Sequence, residues 1–497
     1  MSGKFYVCTS IAYVNSKPHV GYAMELLHAD FMARAARLQG KETFFLTGTD
    51  EHGLKIAQAA EAEGLENQGF VDKYSAYFRD LAGKLGLSND DFIRTTDQRH
   101  EDFAREMWNK LKEAGDLYKD KYSGWYCVGC EKFILEKELV EGNCAIHLKP
   151  PVKVEEENYF FRLSKYADKI RELIKTDELL IVPESRKHEI LSFLEEDLRD
   201  VSFSRPRESV KWGIPVPGDE EQLMYVWCDA LSNYISGIDA EKFWPADVQV
   251  IGKDILRFHA VYWIGMLLSA GYKIPKTIFV HGFITSEGVK MSKSLGNVKD
   301  PFEYIEKYGR DALRYFLLRE IPTLGDGDFS QERFETVYKD ELANTFGNLV
   351  SRVLAMNKKY FAGAVPGRSD DEGLELKFEE GWQKYLDFLA VYDLKKAIEV
   401  AVELGFVANK YVEDSKPWEL AKNNPEKLAG VMFNLLEMIR QIGLMLLPII
   451  PDSAEKILQV YQIEADKVKW VELQKWGQLE KGLELGEAGI LFPRLES

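Results

Sequence analysis

Two stretches of this chain repeat one pattern: a short, mostly apolar run, a polar loop, a helix-period segment and a second apolar run. The first begins at Phe5-Tyr6-Val7-Cys8 and continues through Pro18-His19-Val20-Gly21 into a helix predicted to about Leu38, stopped by Gly40. Thr43-Phe44-Phe45-Leu46 then leads into the loop Gly48-Thr49-Asp50-Glu51-His52-Gly53. The second runs from Val248-Gln249-Val250-Ile251 through Gly252-Lys253-Asp254 and a helix to about Ala270, then Thr277-Ile278-Phe279-Val280 and His281-Gly282. Apolar runs without alternation are the habit of strands buried on both faces. The predicted fold class is therefore α/β, a doubly wound, Rossmann-like parallel sheet whose ligands bind at the carboxyl ends of its strands.

The remainder divides around that pattern. Residues 1–114 form the first half of the sheet domain, 115–222 a charge- and turn-rich connective insertion, and 223–298 the second half. A short segment, 299–335, leads into residues 336–497. There, long apolar-periodic segments (about 332–361, 376–416 and 425–447) predict an all-α helical bundle. With 497 residues, 45% apolar and 29% charged, the chain has the make-up of an ordinary globular protein. A net charge of −17 excludes an indiscriminate nucleic-acid coat, though a local basic face can still bind RNA. No signal peptide is visible at the N-terminus. Val431 to Ile450 carries Glu437, Arg440 and Gln441, so it reads as a buried helix and no membrane is expected. Five cysteines, three of them clustered, fit a reducing, cytoplasmic compartment and a metal site.

Three constellations carry chemistry. Lys290-Met291-Ser292-Lys293-Ser294-Leu295-Gly296-Asn297 is a cationic loop suited to neutralising a polyphosphate, and Gly288 and Gly296 would let it close. His19-Val20-Gly21-Tyr22 opens a helix, whose free N–H groups and positive dipole end receive phosphate. Gly21 would admit a flat adenine close to the backbone. No G-x-G-x-x-G fingerprint or P-loop occurs, so nucleotide binding rests on these residues. Finally, Cys127-x-x-Cys130 and Cys144-x-x-His147 have the spacing of one tetrahedral, structural Zn²⁺ with S₃N ligation.

Together these segments resemble the methionyl-tRNA synthetases, a family of class I aminoacyl-tRNA synthetases, over about residues 4–497. The lysine octapeptide is similar to the second class I signature. Ser10 to Asn15, His19 to Tyr22 and Phe44 to Gly53 resemble the family's opening, and Tyr225 to Tyr234 with Ile251 to His259 continue it. The resemblance implies ATP-driven activation of L-methionine to methionyl-adenylate, then transfer to the 3′-terminal ribose of tRNA(Met), initiator tRNA included. It places Ile11, Tyr13, Trp227, Leu231, Tyr234, Ile255, Phe258 and His259 around the methionine side chain and Asp50 on its ammonium. His19, Gly21, Tyr22, Asp254 and Lys293 would hold ATP with Mg²⁺, and His19, Tyr22, Lys290 and Lys293 would be catalytic. Tyr22 stands where the family usually has histidine; its hydroxyl can donate a hydrogen bond but cannot become cationic near neutrality.

Asn348 and Arg352, four apart on one helix face, and Trp418, after Lys416-Pro417 at a helix start, match the family's anticodon-reading positions. Asp326 to Ser330 resembles its stem-contact segment. The cysteine–histidine set resembles the zinc knuckle of the single-zinc, bacterial-type branch. The family's extra dimerisation module has no counterpart, which implies a monomer. Two alternatives stay open: another class I synthetase, or a catalytically inactive tRNA-binding paralogue.

Overall fold

The computed structural model describes residues 3–127, 132–134, 139–140, 142–145, 149–196, 198–291, 296–368 and 372–495, with residues 122, 123, 132–134, 290 and 372 by backbone alone. Its centre is a seven-stranded sheet, every pairing parallel. The strands are β1 (Lys4–Thr9), β2 (Ala12–Tyr13), β3 (Glu42–Asp50), β4 (Asp91–Arg94), β5 (Leu180–Val182), β6 (Val248–Gly252) and β7 (Thr277–His281). Their order is β5-β7-β6-β1-β3-β2, with β4 paired to β3. The two repeats seen in the sequence thus meet at β1 and β6, where the winding changes side. Ligands of such sheets bind beyond the strand ends at that switch point.

The apolar runs are buried on both faces, as their lack of alternation predicts. Helix α1 (Val20–Leu38) lays Met24, Leu27 and Phe31 against Val7, Phe45, Val250 and Phe279 on one face. Tyr6, Cys8, Leu46 and Ile251 face the opposite way, toward Trp108, Val261 and Ile264. Each such side chain contributes about 1.5–3 kcal/mol by leaving water, so a charge at Leu27 or Phe45 would break the layer.

Two sequence expectations are corrected. The stretch 115–222 is not wholly separate from the sheet. Much of it is an antiparallel sheet built on Leu117–Cys127 and Val152–Phe161, but Leu180–Val182 returns to pair with β7 as the edge strand. Three residues are too few for a period to be read from sequence.

The helix expected over 376–416 is two helices, Glu372–Ala390 and Leu394–Ser415. Between them Tyr392 takes a positive φ of 61°, and Asp393 caps the second helix by accepting from the Lys396 N–H at 3.3 Å. Neither glycine nor proline marks that turn, so the apolar period runs through it.

The bundle continues with Pro417–Asn423, Pro425–Leu446 and Pro451–Val460. Pro425–Leu446 is long and apolar enough to cross a bilayer by length and composition, but 94% of its most apolar window is buried in the bundle. Glu437 and Arg440 pair inside it, Arg440 Nε donating to Glu437 Oε2 at 2.9 Å. One fully buried cation joins bundle and sheet. Arg314 donates to Asp30 on α1 at 2.7 Å, to the Leu85 carbonyl at 3.1 Å, and to the Ile449 carbonyl at 2.8 Å.

Candidate active site

The strand ends at the switch point gather the two signature segments. His19 is the N-cap of α1: its Nδ1 accepts from the Gly21 N–H at 3.0 Å, which fixes the ring beside the helix start. A methyl group built on Gly21 would lie 2.8 Å from His19 Cε1 and 4.0 Å from Met291 Cε. A side chain at position 21 would therefore have to displace the His19 ring from its cap, and Met291 of the lysine loop reaches the same spot. The chain leaving that loop is fastened to the helix start, since the Val20 N–H donates to the Lys299 carbonyl at 3.2 Å. Gly288 and Gly296 have φ of 76° and 65°, conformations that favour glycine. Lys293 lies outside the described residues, as does the side chain of Lys290. The strand Ile284–Ser286, which enters the loop, pairs antiparallel with Val289–Lys290 and parallel with Gly327–Phe329. The segment expected to contact the tRNA stem is thereby tied to the lysine loop.

Tyr22, the fourth residue of the signature, turns its hydroxyl toward the end of β3. Its hydroxyl lies 3.4 Å from Thr47 Oγ1 and 3.4 Å from the Gly48 carbonyl, and its ring meets Phe78 edge-on. Burial raises its pKa, so it stays a neutral donor. Asp254, in the turn after β6, is exposed, with its Oδ1 close to Gly252. Sequence reasoning overlooked Glu25, one helical turn past the signature. It accepts from Ser10 Oγ at 2.5 Å and pairs with His281 Nε2 at 2.9 Å, joining the ends of β1 and β7 through α1. Only the late position of His281, at the end of an apolar run, hinted at it.

The aromatic set comes together beside these ends. Trp227 and Phe258 stack with ring centroids 3.9 Å apart and planes 6° apart. Trp227 also meets His259 edge-on. Leu231, Tyr234, Ile11 and Ile255 belong to the same apolar cluster. Phe258 and His259 project from a π-helical turn, Phe258–Trp263, a widened turn often found at functional sites. His259 Nδ1–H donates to the Ile255 carbonyl at 2.9 Å, so its Nε2, 2.6 Å away, accepts from the Tyr234 hydroxyl. Burial pushes the His259 pKa down to about 4, which keeps the ring neutral. Tyr13 packs with a neighbouring cluster, but its strand places it directly opposite Asp50, the buried carboxylate ending β3.

Behind that carboxylate lies a second overlooked group. His52 and His100 converge on Asp229, all three buried. Burial opposes the charge on His52, yet the adjacent Asp229 raises its pKa above the ordinary value. Burial likewise works against Asp229, but His52 and His100 hold it down to about 2. The string Asp50-Glu51-His52-Gly53 was the available signal; nothing in sequence pairs it with Asp229.

Of the metal set, Cys127 and Cys144 are buried and pack together with Leu139. Cys130 and His147 lie outside the described residues. Among the described residues no three His, Cys, Asp or Glu side chains converge on a metal position. In the bundle, Asn348 and Arg352 lie on the helix Asn348–Phe361. Arg352 donates to Glu413 at 2.7 Å and to Asn409 at 3.3 Å. Trp418 is 39% exposed at the start of Pro417–Asn423.

Comparison with known proteins matches the chain in two blocks. One family, described as tRNA synthetases class I (M), matches residues 5–149 and 134–354; the anticodon binding domain of methionyl tRNA ligase matches 362–497. The methionine–tRNA ligase of Thermotoga maritima is 43% identical over 99% of this chain and 81% of its own length. That of Rhizobium meliloti is 42% identical over 99% of this chain and 98% of its own length. Mycobacterium tuberculosis methionyl-tRNA synthetase in complex with methionyl-adenylate superposes with a TM-score of 0.95 at 39% identity, over 99% of this chain and 100% of that one. The apo form of the Mycobacterium enzyme gives 0.88 at 35% identity, over 100% of this chain and 99% of that one.

Proposed function

The chain belongs to the methionyl-tRNA synthetases, and from that premise we propose how its residues divide the work. It is an ATP-dependent ligase that activates methionine as the adenylate and charges tRNA with it. Asp50 takes the α-ammonium. Trp227, Phe258, Leu231, Ile255, Ile11 and Tyr13 enclose the unbranched, polarisable thioether, and the neutral Tyr234–His259 pair gives the sulfur a polar neighbour. The helix start at Gly21 and the Asp254 turn receive adenosine.

Activation needs no general base, because an α-carboxyl with pKa near roughly 3.5 is already ionised. A carboxylate oxygen bonds to the α-phosphorus in line, and the bond to the leaving pyrophosphate breaks. His19, the α1 dipole, Lys290 and Lys293 neutralise the departing charge. Mg²⁺, carried in with ATP, supplies further neutralisation on those phosphates. A terminal ribose hydroxyl then attacks the methionyl carbonyl and AMP leaves. Because the Tyr22 hydroxyl is turned toward Thr47 and Gly48, the lysine loop carries more of the phosphate charge here.

Residues 1–114 and 223–298, with the edge strand Leu180–Val182, serve as the catalytic domain, the rest of 115–222 as the connective insertion, 299–335 as the stem-contact segment and 336–497 as the anticodon-binding domain. Asn348, Arg352 and Trp418 read the anticodon of tRNA(Met), initiator included. The soft S₃N set Cys127, Cys130, Cys144 and His147 suits one structural Zn²⁺, and the adjacent burial of the two described cysteines supports it. The enzyme works in the cytoplasm, whose reducing conditions suit its free cysteines.

One observation carries this reading: Gly21 and Met291 meet at the switch point of the sheet. Methionine-dependent ATP–pyrophosphate exchange tests it. Exchange with methionine, and none with leucine, isoleucine, valine or cysteine, is the expected result. Exchange driven by one of those four instead, or by none, would overturn it.

A further inference from the structure

The two residues proposed to grip opposite ends of methionine share an unassigned neighbour. His52 lies two residues past Asp50, in the loop that ends β3, and Asp229 two residues past Trp227, on the short helix Val226–Ala230. His52 Nδ1 is 2.7 Å from Asp229 Oδ2, and His100 Nε2 is 2.8 Å from Asp229 Oδ1. His100 comes from the first turn of the helix Gln98–Glu113, and its Nδ1 is 2.9 Å from Ser236 Oγ. The side chains of His52, Asp229 and His100 are 4%, 1% and 0% exposed. Each carboxylate oxygen thus receives one imidazole N–H, and a charge-assisted pair of this kind holds its partners more firmly than a neutral contact.

We infer that the His52–Asp229–His100 bridge sets the span between the ammonium anchor at Asp50 and the aromatic wall at Trp227, and so selects the length of the amino-acid substrate. The inference rests on the methionine-pocket reading above. His52 and Asp229 are positioning residues; they act through Asp50 and Trp227. The bridge is a direct polar link between the two walls, running from the end of β3 to the helix that carries the tryptophan. Its geometry has little slack, because both hydrogen bonds are short and neither end can be re-solvated. A rigid pocket separates substrates differing by one methylene by roughly 10–200-fold, whereas a wall free to shift by a fraction of an ångström separates them poorly. Ethionine, one carbon longer than methionine with the same thioether, is the probe.

The experiment is ATP–pyrophosphate exchange with methionine and with ethionine, alongside thermal unfolding, for His52→Ala, His52→Asn, Asp229→Asn, His100→Ala, Asp50→Asn and Trp227→Ala in the full chain. His52→Ala and Asp229→Asn are expected to raise the methionine KM by roughly tenfold or more while the ATP KM stays within about twofold. The preference for methionine over ethionine should fall by a similar factor. His52→Asn, whose amide N–H can stand in for Nδ1–H, should recover most of both. Should His52→Ala not accumulate as folded protein, Asp229→Asn and His100→Ala carry the same expectation. If Asp50→Asn and Trp227→Ala raise the methionine KM but the bridge variants leave it and the ethionine ratio unmoved, the inference is overturned and the pocket reading stands. If Asp50→Asn and Trp227→Ala leave the methionine KM unchanged, both fall. A loss confined to kcat in proportion to the unfolded fraction would mark the bridge as scaffold only, and would also overturn it.

Discussion

The proposed site divides charge at the nucleotide end among few groups, and unequal shares among them can be measured. Lys293→Ala should slow adenylate formation by about 10²–10³-fold, the usual cost of one charge-stabilising donor, and leave methionine binding nearly intact. Tyr22→Phe should cost far less, because the hydroxyl it removes lies 3.4 Å from Thr47 Oγ1 and the Gly48 carbonyl and stays neutral. Pre-steady-state activation rates of the two variants decide this, and equal losses would refute the division. His259 gives a test in pH. Its folded pKa is depressed to about 4 by burial, so the unfolded chain binds a proton near 6.5 that the folded chain refuses. The stability it permits is therefore full above about pH 6.5 and declines as pH falls toward 4, with a slope of at most one proton. Denaturant unfolding across that window should show the slope, and His259→Asn should reduce it by up to one proton, leaving the like contribution of His28, which burial also holds down.

At the scale of elements, each module should fail in its own way. Trp418→Ala should impair tRNA charging and spare ATP–pyrophosphate exchange, since the tryptophan lies in the bundle and base stacking contributes about 1–3 kcal/mol. Unchanged charging kinetics would remove it from the anticodon site. Removing zinc should raise hydrogen exchange in the sheet built on Leu117–Cys127 and Val152–Phe161 before it lowers activity, because Cys127 ends the first of those strands. Metal analysis giving no zinc in protein purified without chelator would exclude the site. Long helical periods were legible in the sequence, as in α1 and Pro425–Leu446, and so were the unbroken apolar runs of β1 and β6. The edge strand Leu180–Val182 and the turn at Tyr392 were not: one is three residues long, and the other reverses the chain without glycine or proline. The site divides the same way. Motif residues such as His19, Gly21, Asp50 and Trp227 could be read from their strings. The Glu25–His281 and His52–Asp229–His100 contacts join positions up to 256 apart, which no local pattern records.

Across the whole molecule, anticodon bundle and catalytic sheet share one apolar core, and a buried cation sits where they meet. Arg314 answers Asp30 on α1, the helix whose start is proposed to receive the nucleotide, and on its other side the Ile449 and Pro448 carbonyls of the bundle. Asp30 is drawn well below the ordinary carboxylate range; burial resists this, but Arg34 and Arg314 prevail. A neutral side chain such as methionine at 314 would fill the volume. It would nevertheless leave Asp30 one partner short and take the Arg314 donor from three carbonyls, those of Leu85, Pro448 and Ile449, at a cost of about 3–5 kcal/mol for a broken buried pair. The damage should fall on the junction, since Asp30 keeps Arg34 and Ser88 within the catalytic side. Arg314→Met is therefore expected to lower the melting temperature and to split one calorimetric transition into two, the bundle separating from the sheet. Exchange activity per folded catalytic domain should persist, while tRNA charging, which needs both modules in register, should fall more steeply. A single transition with exchange and charging reduced in parallel would show that Arg314 stabilises the molecule without coupling its halves.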